Sequence, residues 1–206
     1  MRRTLIPLTV MILLSLVGGC AVHDNPVESS TYQPPSKAPK IAEDQELKFI
    51  QLPKDNALRK IVSATGLITA KKGGSITLQH RVGFARIWMT LTFPRGAVQE
   101  DTYVTMSLDD EVLATTVEVS FGPTGTSFLK PGSLDVLAIG LDLSSLSSSG
   151  FHSDDVALLW YNPTTGLWEK MEADHIMVST RVGMLVCNNG KIPHFSRYAF
   201  GIIRTD

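Results

Sequence analysis

Apolar and polar residues alternate along most of the chain from Ser63 onward, which is the pattern of β-strands with one buried face. Between Ile87 and Phe93, apolar residues occupy every second position, and a tryptophan and two threonines separate them. The same alternation recurs from Thr102 to Leu108 and from Thr115 to Phe121. These three segments are therefore predicted to be strands.

A turn-rich link predicts a β-hairpin in the second half of the chain. Val156–Tyr161 and Gly166–Met171 flank Asn162-Pro163-Thr164-Thr165, so Trp160 and Trp168 are expected to face each other across the strands. Three more short strands are predicted at 176–178, 184–187 and 198–203. Gly, Pro, Asn and Asp recur at intervals of about one strand plus one turn, which leaves no room for crossover helices. We therefore predict an all-β fold, an antiparallel β-sandwich, over residues 63–206.

The segments before this domain have a different composition. Residues 20–45 are rich in Pro, Ser, Lys, Asp and Glu, and so few apolar residues predict a disordered tether that proline stiffens. Residues 46–62 form a lead-in segment with two interpretations. In the first, Asp55 caps a short helix that turns Leu58, Ile61 and Val62 to one side. In the second, a first strand begins near Ile61.

The first 19 residues have the features of a secretory signal peptide. Arg2 and Arg3 precede an apolar run from Leu5 to Val17, which ends in two glycines and Cys20. A helix that spans a bilayer needs about 20 apolar residues, and this run is shorter. The pattern therefore predicts an exported protein.

Val17-Gly18-Gly19-Cys20 resembles the lipobox of bacterial lipoproteins. The resemblance implies that the Cys20 thiol receives a diacylglyceryl group, that cleavage occurs before Cys20, and that the new amino terminus is acylated. Membrane lipid would then be a partner through Cys20. Ala21, where some lipoproteins have Asp, resembles proteins sorted to the outer membrane of two-membrane bacteria. The alternative is an ordinary signal peptide that contains a cysteine.

Charge and cysteine content exclude some classes of function. Without Arg2 and Arg3, the 19 basic residues become 17 against 20 acidic ones, a formal charge of −3. This balance offers no electrostatic reason to expect nucleic acid as a partner. After lipidation only Cys187 remains, so no internal disulfide is expected. Its β-like surroundings predict a small buried apolar residue rather than a reactive thiol.

Three turn motifs occur in order along the predicted domain. They are Gly73-Gly74 entering a strand, Phe93-Pro94-Arg95-Gly96-Ala97-Val98, and the run from Phe121 to Pro131. In the last, Gly122-Pro123 and Gly125 predict a tight turn, after which Phe128 and Leu129 are expected to return to the core.

Together these motifs resemble the ZU-five domain of tight-junction scaffold proteins, netrin receptors and ankyrins, over about residues 63–140. Arg95, Phe121 and Thr124 stand where the family pattern has Pro, Cys and His. Members of this family are β-sandwich interaction modules, generally without catalysis. The resemblance therefore implies a non-enzymatic binding or scaffold domain without cofactor or metal, and with a protein partner in the cell envelope.

His194-Phe195-Ser196 resembles a self-cleavage site found in some relatives of this family. That resemblance implies Ser196 as the nucleophile, His194 as the polarising group and the Phe195–Ser196 peptide bond as the one cut. The alternative is structural. Phe195 and Tyr198 pack in the core, while His194 and Ser196 satisfy backbone groups at the turn.

The remaining candidate residues favour structural roles. The five histidines are scattered without a close pair, so no metal site is predicted. The acidic runs Asp109-Asp110-Glu111 and Asp154-Asp155 are interpreted as solvated loop charges rather than as acid–base or calcium groups. Trp160 and Trp168 favour packing over stacking on a sugar.

Overall fold

The computed structural model describes residues 45–52, 61–108, 116–144, 146 and 152–205. Within these residues twelve strands form two antiparallel sheets that pack together, which confirms the predicted all-β sandwich. The strands are β1 (Gln45–Phe49), β2 (Val62–Ile68), β3 (Gly74–Val82), β4 (Ala85–Phe93), β5 (Thr102–Leu108), β6 (Glu118–Gly122), β7 (Ser127–Ile139), β8 (Ala157–Asn162), β9 (Leu167–Met171), β10 (His175–Ser179), β11 (Met184–His194) and β12 (Arg197–Thr205).

One sheet has seven strands and the other has five. The larger follows the order β2-β5-β6-β12-β8-β9, and β1 pairs with the end of β12 beyond β6. The smaller follows the order β10-β11-β7-β4-β3. The part of the chain that the structure describes contains no helix long and apolar enough to cross a membrane.

The alternation predicted from the sequence corresponds to the inner face of the sandwich. In β4, Ile87, Met89, Leu91 and Phe93 are all buried, and the residues between them are exposed or half-buried. In β5, the apolar residues at alternate positions are buried in the same way. Each such side chain contributes roughly 1.5–3 kcal/mol by leaving water, so this repeated pattern holds the two sheets face to face.

The first strand lies in the lead-in segment. Residues Gln45–Phe49 pair with Thr205–Gly201 and add β1 to the seven-stranded sheet. The next strand begins at Val62, close to the position that one of the two interpretations gives. The helix that Asp55 is expected to cap lies outside the described residues, as do residues 1–44.

The predicted hairpin is present, but its two tryptophans do not face each other. In the register of β8 and β9, Trp160 is opposite Glu169, and Trp168 is opposite Tyr161. Side chains in a strand alternate between faces, so a register that differs by one residue places the two indoles on opposite sides of the sheet. The expected Trp160–Trp168 contact is therefore wrong.

The return of Leu129 to the core is also wrong. Phe128 packs against Phe93 with ring centroids 4.7 Å apart, but the Leu129 side chain is 65% exposed. The two residues are consecutive in β7, and consecutive side chains in a strand point to opposite faces. Only one of them can reach the core.

The direction of the strands on either side of the Phe195–Ser196 connection defines the two ends of the sandwich. β11 of the smaller sheet connects to β12 of the larger through Phe195 and Ser196. β7 begins beside this connection, since Ser127 pairs with His194, and ends at Ile139. β7 and β12 therefore both run away from the connection. Because Gln45 pairs with Thr205, the chain enters β1 at the end of β12 far from the connection.

Candidate functional sites

The residues His194, Phe195 and Ser196 form the turn through which the chain passes from one sheet to the other. Phe195 is buried, and its ring lies 4.5 Å from that of Phe128 and 6.0 Å from that of Phe93, centroid to centroid. Tyr198 is buried as well, and its ring lies 5.5 Å from that of Phe121. The predicted packing of Phe195 and Tyr198 is therefore confirmed.

The backbone of this turn is bonded to the end of the segment Gly122-Pro123-Thr124-Gly125, one of the three turn motifs. The Phe195 N–H donates to Thr126 O at 2.8 Å, and the Gly125 N–H donates to Phe195 O at 3.4 Å. Gly125 has a φ of +85°, a conformation that glycine adopts without strain. Two motifs about 70 residues apart in the sequence thus form one structural unit.

The side chain of His194 belongs to a small aromatic group. The Tyr198 hydroxyl donates to His194 O at 2.9 Å and lies 3.1 Å from His194 Nδ1. Because a hydroxyl has one proton, both bonds are satisfied when Nδ1 carries a proton and donates to the phenol oxygen. The Trp160 ring lies 4.3 Å from the imidazole. Burial raises the pKa of Tyr198 above its ordinary value, and the bond to His194 partly offsets this.

Ser196 is positioned by the neighbouring strand. Its hydroxyl donates to Tyr161 O at 3.2 Å, and its carbonyl accepts the Phe121 N–H at 3.0 Å. The hydroxyl thus satisfies a backbone carbonyl, as the structural interpretation expects. The Phe195 carbonyl, which self-cleavage would attack, receives the Gly125 N–H, and this donor would stabilise negative charge on that oxygen.

A buried ion pair occupies the outer face of the seven-stranded sheet. Arg197 Nε donates to Glu118 Oε1 at 2.5 Å, and both side chains are less than one tenth exposed. The Tyr161 and Trp168 rings lie 5.1 and 5.8 Å from the guanidinium. Sequence reasoning misses this pair because Glu118, at a polar position of an alternating strand, is expected to face solvent.

The same outer face carries a small apolar cluster. Leu159, Trp168 and Ala199 are buried there, and Phe49 packs edge-to-face on Trp168 with centroids 5.1 Å apart. Trp168 is therefore a packing residue and is not available for stacking on a sugar. Both faces of this sheet are buried along β12 and at Leu158 and Leu159 of β8.

The outer face of the five-stranded sheet exposes large apolar side chains in a row that crosses four strands, whereas on the seven-stranded sheet the exposed pair Leu67 and Tyr103 is confined to the β2–β5 edge. Met177, Val186, Leu137 and Trp88 are opposite one another on β10, β11, β7 and β4, and they form one continuous row across the sheet. We call these four residues the apolar row. Met177 is 40% exposed and Leu137 is 39% exposed, while Val186 and Trp88 are half-buried.

Cys187 lies on β11 next to the apolar row but faces inward. The thiol is buried, which confirms the predicted structural role, and burial raises its pKa to about 12. A thiol with this pKa stays protonated and is a poor nucleophile at neutral pH.

Among the described residues, the other candidates do not come together in a site. Asp154 and Asp155 lie in a single 3-10 turn, Ser153–Asp155. In the described part of the chain, no three His, Cys, Asp or Glu side chains form a group able to hold a metal ion. Cys20 and the run Asp109-Asp110-Glu111 lie outside the described residues.

No family model, curated protein or solved structure matches this chain. The ZU-five resemblance and the lipobox resemblance therefore stay predictions from the sequence motifs.

Proposed function

We propose that this protein is a lipid-anchored, non-enzymatic binding module of the bacterial cell envelope, held at the outer membrane. The sequence around Cys20 supports the anchor, and the apolar row supports the binding role. The row is the observation that carries the proposal, because a folded domain gains stability by burying large apolar side chains and here leaves four of them together on one face.

The row has the composition of a protein-binding surface. It combines an indole and a methionine with branched aliphatic side chains, and aromatic residues and methionine are enriched in interfaces. It crosses four strands, so its span is about 14 Å at the usual spacing between strands. An apolar strip of an envelope protein would fit this flat surface.

Lipidation is tested by metabolic labelling with an alkyne fatty acid in a two-membrane bacterium that expresses the full chain. We expect label in the wild type, no label in Cys20→Ser, and unchanged label in Cys187→Ser, the matched control with the other cysteine replaced. Labelling of Cys20→Ser at the wild-type level would contradict the anchor.

The binding face is tested with a photo-crosslinking amino acid placed at Leu137 or, as a control, at Leu129. Both are exposed leucines of β7, but only Leu137 lies in the row. We expect a defined crosslinked species from position 137 only. Adding Met177→Ser to the Leu137 probe should remove this species. Equal crosslinking at both positions would contradict the assignment of the binding face to the apolar row. A crosslinked species that persists when Met177→Ser is added would contradict it as well.

Self-cleavage between Phe195 and Ser196 is the second candidate, favoured by the Gly125 N–H on the Phe195 carbonyl. In this reaction Ser196 Oγ attacks the Phe195 carbonyl carbon and its proton passes to the Ser196 nitrogen, which leaves an ester and a free amine. Water then hydrolyses the ester and gives a carboxylate on Phe195 and a hydroxyl on Ser196. His194 would polarise the bond.

Mass spectrometry of denatured protein separates the two candidates. Self-cleavage releases the 11-residue peptide 196–206 from the wild type but not from Ser196→Ala. The binding-module proposal expects an intact chain in both samples after several days. Release of the peptide from the wild type alone would establish the reaction.

A further inference from the structure

The most exposed large apolar side chain in the described part of the chain is at the tip of a hairpin. Phe84 is 88% exposed in the two-residue turn between β3 and β4. Gly83 precedes it with a φ of +56°, and glycine at the first central position suits the tight turn that joins such strands. The tip of this hairpin therefore presents the phenyl ring to the surroundings.

A second apolar tip lies at the same end of the sheet. Val182, in the turn between β10 and β11, is 59% exposed. The segment that follows β7 connects the two tips, because the Leu141 N–H donates to Gly183 O at 2.9 Å and Gly140 packs against the backbone of Phe84. A side chain at Gly140 would lie 2.9 Å from Phe84 O, so the contact is close.

Three exposed arginines surround these tips: Arg81, Arg86 and Arg181. Arg81 and Arg86 are directly opposite each other on β3 and β4, an arrangement of like charges that destabilises a sheet. Arg81 Nε donates to Gly83 O at 3.2 Å, which holds its guanidinium beside the turn. Among the described residues no carboxylate forms an ion pair with any of the three.

The nearby acidic group is already engaged. Asp142 follows Gly140 by two residues, and its carboxylate accepts the backbone N–H and the hydroxyl of Ser144 at 3.1 and 2.7 Å. Within the described residues, this end of the sheet thus combines exposed apolar tips with three arginines that form no ion pair. Anionic phospholipid complements both, since its headgroups carry phosphate and its interior is apolar.

The chain enters the described domain at this same end. β7 and β12 both run away from the Phe195 turn, so β7 ends beside the two tips and β12 ends beside Gln45. The segment that follows β7 also contacts the chain just after β1, because the Asp142 N–H donates to Gln51 O at 3.1 Å. The segment that leads back to Cys20 therefore enters the domain at the same end.

We propose that the Phe84 and Val182 tips, with Arg81, Arg86 and Arg181, dock on the anionic phospholipid surface of the membrane that holds the anchor. This orientation rests on the proposed lipid anchor at Cys20. The phenyl ring enters the interfacial region, and the guanidinium groups contact phosphates around it. The apolar row then stands on the side of the domain, accessible to a neighbouring envelope protein.

Depth-dependent fluorescence quenching tests the docking. The full chain with Cys20→Ser is mixed with phosphatidylglycerol vesicles that carry brominated acyl chains, and Phe84→Trp is compared with Leu129→Trp. Leu129 is the matched control because it is an exposed apolar residue at the opposite end of β7, near the basic residue Lys130. Both variants share the other tryptophans and any contribution from the N-terminal segment.

We expect the added indole emission of the Phe84→Trp variant to be quenched at least twofold more than that of the Leu129→Trp variant. Equal quenching in the two variants, or none in either, would overturn the proposal. Both variants must show the wild-type circular dichroism spectrum. If Phe84→Trp misfolds, Phe84→Leu provides a second readout, because we expect it to weaken vesicle binding.

The arginines are tested by vesicle sedimentation with Arg81→Gln, Arg86→Gln and Arg181→Gln combined. Each guanidinium near an anionic surface contributes about fivefold in affinity, so we expect a loss of about 100-fold on phosphatidylglycerol and little change on phosphatidylcholine. Lys71→Gln, Arg95→Gln and Lys130→Gln together form the charge-matched control. Equal losses in both triple variants would overturn the proposal. Absence of acyl label on Cys20 would refute the anchor alone and leave these readouts unaffected.

Discussion

The outer faces of the two sheets differ although both sheets share one core. The seven-stranded sheet buries apolar residues on its outer face around Trp168 and pairs Glu118 with Arg197 there. The five-stranded sheet exposes the apolar row on its outer face and arginines at its end. The part of the larger sheet around β8 and β12 is therefore structural, its β2–β5 edge exposes Leu67 and Tyr103, and the smaller sheet carries the surfaces that we assign to binding.

The largest expected effect comes from breaking the buried ion pair. Arg197→Ala leaves Glu118 as an uncompensated buried charge, which costs about 3–5 kcal/mol of unfolding free energy. Arg86→Ala, at an exposed position of the other sheet, is expected to change stability by no more than about 0.5 kcal/mol. Urea denaturation of both variants measures the difference. Similar values for the two would show that the faces do not differ as described.

The next largest effect on stability is expected from replacing one leucine on the outer face of each sheet. Leu159→Ala creates a cavity beside Trp168 and is expected to cost about 2–4 kcal/mol. Leu137→Ala removes a side chain that is already 39% exposed and is expected to cost less than about 1 kcal/mol. Thermal unfolding compares the two variants, and a cost of Leu137→Ala as large as that of Leu159→Ala would mean that the apolar row is covered.

The dependence of stability on alkaline pH tests the burial of Cys187 on the inner side of β11. The folded pKa of Cys187 is about 12, above the ordinary thiol value of 9.0. Stability from the neutral thiol is therefore complete below about pH 9 and falls as the pH rises toward 12, by about 1.4 kcal/mol per pH unit. Cys187→Ala should reduce this slope by that amount. If the unfolding free energy of Cys187→Ala fell with pH as steeply as that of the wild type, the raised pKa of Cys187 would be contradicted.

The smallest effect on stability is expected at the outer side of the same strand. Val186→Cys, made in the Cys187→Ala background, places a thiol in the apolar row and should change stability by no more than about 1 kcal/mol. We expect this thiol to react with a water-soluble disulfide reagent in the native protein, while wild-type Cys187 does not. Protection of the introduced thiol in the purified protein would show that the row is not accessible.

Prediction from the sequence succeeds where the signal is local. The alternation in β4 and β5 identifies both strands and their buried residues, because one face of each packs on the other sheet. Burial of Cys187 is also predicted correctly, since it follows apolar neighbours in a short β-like run. Each of these inferences needs only the two-residue period of a strand.

Prediction fails where the answer depends on pairing between distant segments. The sequence predicts that Trp160 and Trp168 face each other, but the observed register of β8 and β9 differs by one residue from the one this contact requires. Leu129 is expected in the core, but its neighbour Phe128 takes that side of β7. Glu118 stands at a polar position of an alternating strand, and no local signal shows that Arg197, 79 residues further along, pairs with it on a buried face.

The sequence by itself determined the all-β class, most strand positions and the inner face of the sandwich, because alternation is a local property of the chain. It also predicted the acylation site at Cys20 and the candidate turn at Ser196. Only the tertiary structure decided that the seven-stranded sheet is buried on both faces along β12 and that Met177, Val186, Leu137 and Trp88 form one row. It also placed Phe84 and Val182 at one end. These features depend on strand order and register, which long-range packing selects and no short segment of the chain encodes.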